Sequence, residues 1–459
     1  MNHRVHQLFS KLMSHPPVYL VSLGCAKNLV DSEVMLGKLL KAGYPVVTLP
    51  QQAEIIIVNT CSFIQAAIEE SRKTIFELGK YKKSGKCKYL IVSGCLPQRY
   101  GKLLGKIFPE VDAFVGSGEF YRITEIIAAL YCFKTQVQFY LGKPVYLYND
   151  RTFRVNTSLP GSAYIKIAEG CSHYCSFCLI PKIRGRFRSR APDSIIKEAT
   201  NLALRGVKEI NLIAQDITRY GYDLSPRVNL VDLLRRLVKV EGIEWLRMLY
   251  ANPQGINDEL IEIMKEEKRI CKYLDFPVQH INSEILKAMK RKHSSEFLYQ
   301  LIAKIRKSIP QITLRTTLMV GFPGEREEQF NELIDFVKQV KFDRLGVFAY
   351  SPEKGTPAFR LPNQIPEEVK QRRKHIILQL QAEISRRKNK KLVGSIQKVI
   401  IEKKSLSGAT GRISSQAPEV DGITRIVGNT KELSLGGIYD AAIIRAGTYD
   451  LIGEIYQTI

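Results

Sequence analysis

Three β-branched runs near the amino end each stop at a cysteine, and no other feature restricts the fold of this chain so tightly. Val18 to Leu23 leads into Gly24-Cys25, Ile55 to Val58 into Asn59-Thr60-Cys61, and Tyr89 to Ser93 into Gly94-Cys95. The segments between them, about Ser32 to Ala42 and Ala66 to Tyr81, carry apolar stripes of helical period and suit crossovers between parallel strands. Ligands of an open parallel sheet collect at the carboxyl ends of its strands, so cysteines just past three strands should converge on one site. A last strand at Ala113 to Val115 and a helix around Ile123 to Leu130 would complete a doubly wound domain.

Beyond a weakly periodic stretch, about Phe139 to Pro160, a second α/β series begins. Strands are expected at Ala163 to Ala168, Glu209 to Ala214, Leu246 to Tyr250, Tyr273 to Val278, Leu314 to Val320 and Leu345 to Ala349. Helical patterns lie between them; one, Asp193 to Leu204, has Asp193 as its expected N-cap. Six βα units imply a partial TIM-like barrel, whose chemistry belongs at the carboxyl rim of its strands. Residues 367–391 read as a long helix with nine Lys or Arg and three Glu, either solvated or facing RNA. The tail alternates in short runs, Lys398 to Glu402, Ile423 to Val427 and Ile438 to Ile444, with glycine turns, the pattern of a small antiparallel β-barrel.

At the first barrel rim stands Cys171-Ser-His-Tyr-Cys175-Ser-Phe-Cys178. Three thiolates on a cubane iron-sulfur cluster leave one iron open to a small molecule, whereas structural zinc closes with four ligands. The competing reading is a zinc knuckle with His173 as the fourth ligand. No apolar run approaches the length of a membrane span, and residues 1–17 lack the apolar stretch of a signal peptide, so a cytoplasmic protein without a membrane partner is expected. Nine cysteines in such a compartment are metal ligands or free thiols rather than disulfides. Cys87, Cys132 and Cys271 lie outside both sets and read as buried or free thiols.

The net charge of +24 favours a polyanionic partner such as RNA or a ribosome. Yet residues 392–459 hold seven basic and seven acidic side chains, so the whole excess precedes the tail. Just after the cysteine loop Lys182, Arg184, Arg186, Arg188 and Arg190 alternate; they could guide a substrate, tie down the loop or form a solvated strand edge. Gln215-Asp216, Gln279-His280 and Gly321-Phe322-Pro323-Gly324-Glu325 follow the second, fourth and fifth barrel strands. As rim groups they are candidate contacts for a small molecule; a packed His280 and simple turning by the glycines are the alternatives.

With those residues placed, Cys171, Cys175 and Cys178 resemble the loop of radical S-adenosylmethionine enzymes. The three amino-terminal cysteine turns, the six-unit barrel and the β tail together resemble the methylthiotransferase family from about residue 17 to the end. The resemblance implies three domains: 17–135 binding an auxiliary cluster, 157–388 as the radical core, and a TRAM-like β domain at 389–459. It implies two 4Fe-4S clusters, one on Cys171, Cys175 and Cys178 and one on Cys25, Cys61 and Cys95, with S-adenosylmethionine contacts drawn from Gln215, Asp216, Gln279, Gly321 and Pro323.

In this family the first cluster cleaves S-adenosylmethionine to a radical that abstracts hydrogen, the second is thought to hold the sulfur, and another S-adenosylmethionine gives the methyl group. An electron-donor protein and a sulfur source would be partners. Ala168-Glu169-Gly170-Cys171, Tyr273-Leu274-Asp275-Phe276-Pro277-Val278-Gln279-His280 and Ala417-Pro418-Glu419-Val420-Asp421-Gly422 are similar to the RimO-type branch, which modifies the β-carbon of an aspartate in a small-subunit ribosomal protein. The sister branch, which modifies an adenosine in tRNA, is the nearest alternative. An electron carrier with an RNA-binding tail and a zinc-dependent RNA-binding module are the others.

Overall fold

A computed structural model describes residues 15–132 and 136–456 of the chain. It divides into two compact units: the described residues up to 157 with 169–172 and 178–188, and the remainder. The first unit is built on five parallel strands, β1 (Val18–Ser22), β2 (Ile55–Thr60), β3 (Tyr89–Gly94), β4 (Ala113–Gly116) and β5 (Gln138–Tyr140), lying side by side in chain order. Every residue of β2 is buried. Ile56 and Val58 pack with Ile68 and Ile75 of the helix Gln65–Gly79 and with Leu90 and Val92. Ile55, Ile57 and Ile91 alternate to the other face and are equally buried, so both faces are covered, as in a doubly wound sheet. Val46, between β1 and β2 in the chain, bridges Val18 in parallel on the other edge of β1, so the order reverses there, and the three cysteines end the neighbouring strands β1, β2 and β3 beside that switch point.

Two expectations need adjustment here. The strand β5, inside the stretch read as weakly periodic, adds an edge to the sheet; residue 135, the expected domain boundary, lies outside the described residues. The first crossover helix spans Ala26–Lys41 and starts six residues before the apolar stripe, because its opening turns carry Asn28, Asp31, Ser32 and Glu33, polar but buried.

The second unit holds six parallel strands, β6 (Ser162–Lys166), β7 (Glu209–Ile213), β8 (Trp245–Met248), β9 (Ile270–Asp275), β10 (Thr313–Val320) and β11 (Arg344–Ala349), adjacent in sequential order. All six expected strands are present, in an open sheet of TIM-like form. The helix after β6 starts at Pro192, not at an Asp193 cap: proline's fixed φ suits the first helical position, and Ala191 is the N-cap. Asp193 instead accepts from Arg236 at 2.5 Å.

Five strands, β12 (Ile396–Ser405), β13 (Gly408–Ile413), β14 (Thr424–Val427), β15 (Ile438–Ala446) and β16 (Leu451–Ile455), close a small barrel. Its pairs are antiparallel except β14 with β16, where a parallel pair completes the closure. Val399, Ile401, Ile413, Ile426, Ala441, Ile443 and Leu451 fill the interior.

A buried ionic network fastens this barrel within its unit. Glu209, at the start of β7, accepts from Arg247 at 2.9 Å and from Arg412 of β13 at 2.5 Å, and Arg412 also reaches Glu402 at 2.6 Å. Burial alone would raise the Glu209 pKa, but the two guanidinium groups outweigh it and hold the carboxyl at about 2. Because the folded value lies below the unfolded one, the stabilisation is present above about pH 4.5 and is lost as pH falls toward about 2, on the order of 3 kcal/mol in all. Replacing Glu209 with Gln should cost roughly 3–5 kcal/mol near neutral pH and remove this part of the acid sensitivity. Urea melts of the full chain across that pH range check both outcomes.

Candidate iron-sulfur and cofactor sites

Each amino-terminal cysteine is delivered by the backbone. Gly24 and Gly94 have φ +90° and +99°, a region that favours glycine, and each immediately precedes a cysteine. A Cβ on Gly24 would meet the Cys61 Cβ at 2.5 Å, and one on Gly94 would meet the Asn59 side-chain oxygen at 2.4 Å. Close strand-to-strand approach therefore brings the cysteine turns together. Asn28 ties the corner down by donating to the carbonyls of Leu23 and Thr60, at 3.0 and 2.8 Å, and its own oxygen faces Cys95 Sγ at 3.6 Å. Asn59 donates to the Asn28 carbonyl at 2.9 Å and to Ser32 at 2.8 Å.

Cys25 is exposed while Cys61 and Cys95 are buried. Burial first, then the neighbouring Cys95 and Cys25 thiols, pushes the Cys61 thiol up to about 12; Cys95 is also raised by burial. Three thiolates so placed need a cationic centre to offset their mutual repulsion, and this donor set fits an iron-sulfur cluster with one open iron. Among the described residues no three His, Cys, Asp or Glu side chains draw together around a single metal ion. A cubane fills more space between its thiolates than one ion does, so the fit rests on the thiol donors themselves. Cys87 and Cys271 are buried and Cys132 is exposed, all three as free thiols.

In the barrel loop, Cys171 donates its N–H to the Gly185 carbonyl at 3.1 Å, and the Ile180 N–H donates to Cys178 Sγ at 3.5 Å. Arg291 donates to Cys175 Sγ at 3.8 Å and to the Pro277 carbonyl at 2.9 Å. All three cysteines are half-buried, and the Cys175 and Cys178 sulfurs each receive a donor, as suits thiolate ligands. His173, the fourth ligand of the zinc reading, instead donates Nε2 to the Asp216 carboxylate at 2.5 Å, with Asn252 at 3.3 Å.

The rim residues divide by what they touch. Asp216 caps the turn Ile217–Arg219 through Thr218 and gives its second oxygen to His173, so both oxygens hold the loop. Gln279 sits at φ +75°, paired with Leu318 of β10, an unusual backbone for a side chain of its size. His280 accepts the Asn282 N–H at Nδ1, which leaves the N–H on Nε2, 3.5 Å from Glu325. Gly321 gives its N–H to Glu325 at 2.9 Å, and a Cβ there would strike the Lys370 side chain at 2.1 Å. Pro323 is buried beside it, and Gln215 follows β7. Glu325 also binds Arg373 at 2.7 Å, so this turn is anchored to the helix Glu367–Lys390.

Sequence reasoning singled out the six cysteines but missed the polar groups around them: Asn28, Asp31, Glu169, Asn252 and Arg291. The signal for the first two was the density of polar residues soon after Gly24-Cys25, at Lys27, Asn28, Asp31, Ser32 and Glu33. The basic strip divides: Arg184 and Arg190 are buried and tie the loop down, Arg190 bridging Glu198 at 2.6 Å, Ser194 and the Lys166 carbonyl, whereas Lys182 and Arg186 are exposed.

A parallel sheet with three cysteines at its carboxyl edge, a six-strand partial barrel opening on a three-cysteine loop and a closed β-barrel tail define a radical S-adenosylmethionine enzyme carrying a methylthiotransferase layout. Residues 17–116 match the family described as Uncharacterized protein family UPF0004, 165–337 the Radical SAM superfamily and 393–455 the TRAM domain. The chain is 48% identical over 443 residues to the ribosomal protein uS12 methylthiotransferase RimO of Pelobacter propionicus, covering 96% of this chain and 98% of that protein. It is 49% identical over 441 residues to the protein of the same name from Geotalea uraniireducens, covering 95% and 98%. The chain belongs to this methylthiotransferase family. Among solved structures, the radical S-adenosylmethionine methyltransferase TsrM from Kitasatospora setae shares the fold, with a TM-score of 0.56 and 16% identity over 75% of this chain and 77% of that one.

Full-length protein reconstituted without oxygen should hold about eight irons, and a Cys25→Ala/Cys61→Ala/Cys95→Ala variant about four. Iron and sulfide analysis checks this count.

Proposed function

We propose that this protein transfers a methylthio group to the β-carbon of an aspartate in the small-subunit ribosomal protein uS12. The carrying observation is the second three-cysteine set: Cys25, Cys61 and Cys95 end adjacent parallel strands, beside a chain-long identity to proteins bearing that activity in their name. When bound, the clusters and S-adenosylmethionine supply one-electron cleavage, hydrogen abstraction, a sulfur-bearing iron and the methyl group.

This chain's residues supply position. Cys171, Cys175 and Cys178 would hold the radical cluster, and Cys25, Cys61 and Cys95 the auxiliary one. Gln215, Gln279, Gly321 and Pro323 form the rim offered to S-adenosylmethionine, with Asp216 acting through His173 to fix the loop. Domains at 17–135, 157–388 and 389–459 carry, in that reading, the auxiliary cluster, the radical core and substrate docking. An electron-donor protein and a sulfur source complete the reaction, and free thiols fit work in the cytoplasm. Among the described residues no helix is long and apolar enough to cross a membrane.

Anaerobic incubation with S-adenosylmethionine, reductant and sulfide, offering ribosomal subunits and unmodified tRNA together, should give a methylthio mass gain on uS12 alone. A gain on tRNA would move the substrate to nucleic acid. Cys25→Ala or Cys61→Ala should abolish that product while S-adenosylmethionine cleavage continues; full product would sink the two-cluster reading.

A further inference from the structure

Arg184 is 2% exposed, and its guanidinium reaches into the corner where Cys25, Cys61 and Cys95 meet. It donates to Cys95 Sγ at 3.5 Å, to Asp31 at 2.5 Å, to Glu169 at 3.5 Å and to the Asn28 oxygen. Asn28 in turn faces the same Cys95 sulfur. Two buried carboxylates would satisfy one guanidinium, so the further contact with a thiol is not needed for neutrality of the pair. Its planar fork instead orients one N–H on the sulfur while the carboxylates lock its direction, an arrangement lysine cannot reproduce.

From this geometry we infer that Arg184 is a positioning residue for the auxiliary centre: a fixed positive charge that raises the centre's reduction potential and favours an anionic sulfur ligand on the open iron. The inference rests on assigning that centre to Cys25, Cys61 and Cys95. A cation held at hydrogen-bond distance from a ligating sulfur stabilises the more negative, reduced state, and hydrogen bonds to cluster sulfurs are among the determinants of potential. Sulfide approaching the open iron brings further negative charge, which the same guanidinium offsets. Asp31 and Glu169 oppose the effect from farther out; they are turned to the guanidinium rather than to the sulfurs.

The test uses the full chain with Cys171, Cys175 and Cys178 replaced by Ala, so that only one cluster loads. Potentiometric titration followed by electron paramagnetic resonance gives its midpoint, and titration with sodium sulfide gives its ligand affinity. Arg184→Gln should lower the midpoint and weaken sulfide binding about tenfold, the scale of one charge-assisted hydrogen bond. Arg184→Lys keeps the charge without the fork; it should keep most of the potential while losing thermal stability. An unchanged midpoint and sulfide affinity in a loaded Arg184→Gln protein overturns the inference. If that variant fails to load, Arg184→Lys decides: a midpoint near the parent's supports the charge role, and a midpoint shifted well away from it overturns it. A parent that loads no cluster overturns the cysteine assignment itself, and this inference with it.

Discussion

Three thiols cannot share one corner of a protein without something to offset the charge they carry as ligands. In this chain that constraint shapes the first unit. Parallel strands present their carboxyl ends on one edge, so neighbouring strands β1, β2 and β3 can each add one cysteine without any long loop. Glycines at φ +90° and +99° let the backbone turn at the strand ends and pass close to the next strand. The helix that follows Cys25 contributes buried polar groups instead of apolar ones, because the corner needs donors for carbonyls left free by those turns.

The second unit applies the same physics with carboxylates. Glu209 is reached by two buried arginines, one from β8 and one from the closed barrel, and both keep it ionised. Asp421, in the Ala417–Gly422 motif, accepts from Tyr273 at 2.7 Å, and Arg315 bridges Asp275 at 3.0 Å nearby. Two sequence motifs far apart along the chain are thus hydrogen-bonded partners. These contacts fix the tail against β9 and β10, and they explain why both stretches carry charge in otherwise apolar surroundings.

That distinction sets what could be read from sequence. Strands of β-branched residues ending in cysteine are visible because the pattern is local, and all three cysteine turns lie where the alternation placed them. The start of the helix Ala26–Lys41 was hidden because hydrophobic period marks a core face, whereas Asn28, Asp31, Ser32 and Glu33 face a polar site. Arg184 was visible as a charge in an alternating strip, but its partners lie more than 80 residues away in the chain at Cys95 and more than 150 at Asp31. No local pattern separates a buried, paired arginine from a solvated one. The edge strand β5 escaped for the opposite reason: three half-buried residues carry too little period to register.

The burial of so many arginines also locates the net charge. Arg184, Arg190, Arg247, Arg373 and Arg412 are each buried against carboxylates. Such pairs remove about as much negative charge from the surface as positive, so they leave the excess of +24 on exposed groups. The long helix shows the division on one element. Lys370 and Arg373 are buried, donating to the Tyr350 carbonyl and to Glu325, while Arg372, Arg386, Arg387, Lys390 and Lys391 are exposed. The buried residues fasten the helix and the exposed ones carry its field. The tail itself carries equal numbers of basic and acidic side chains, so the excess of +24 lies on the region before it.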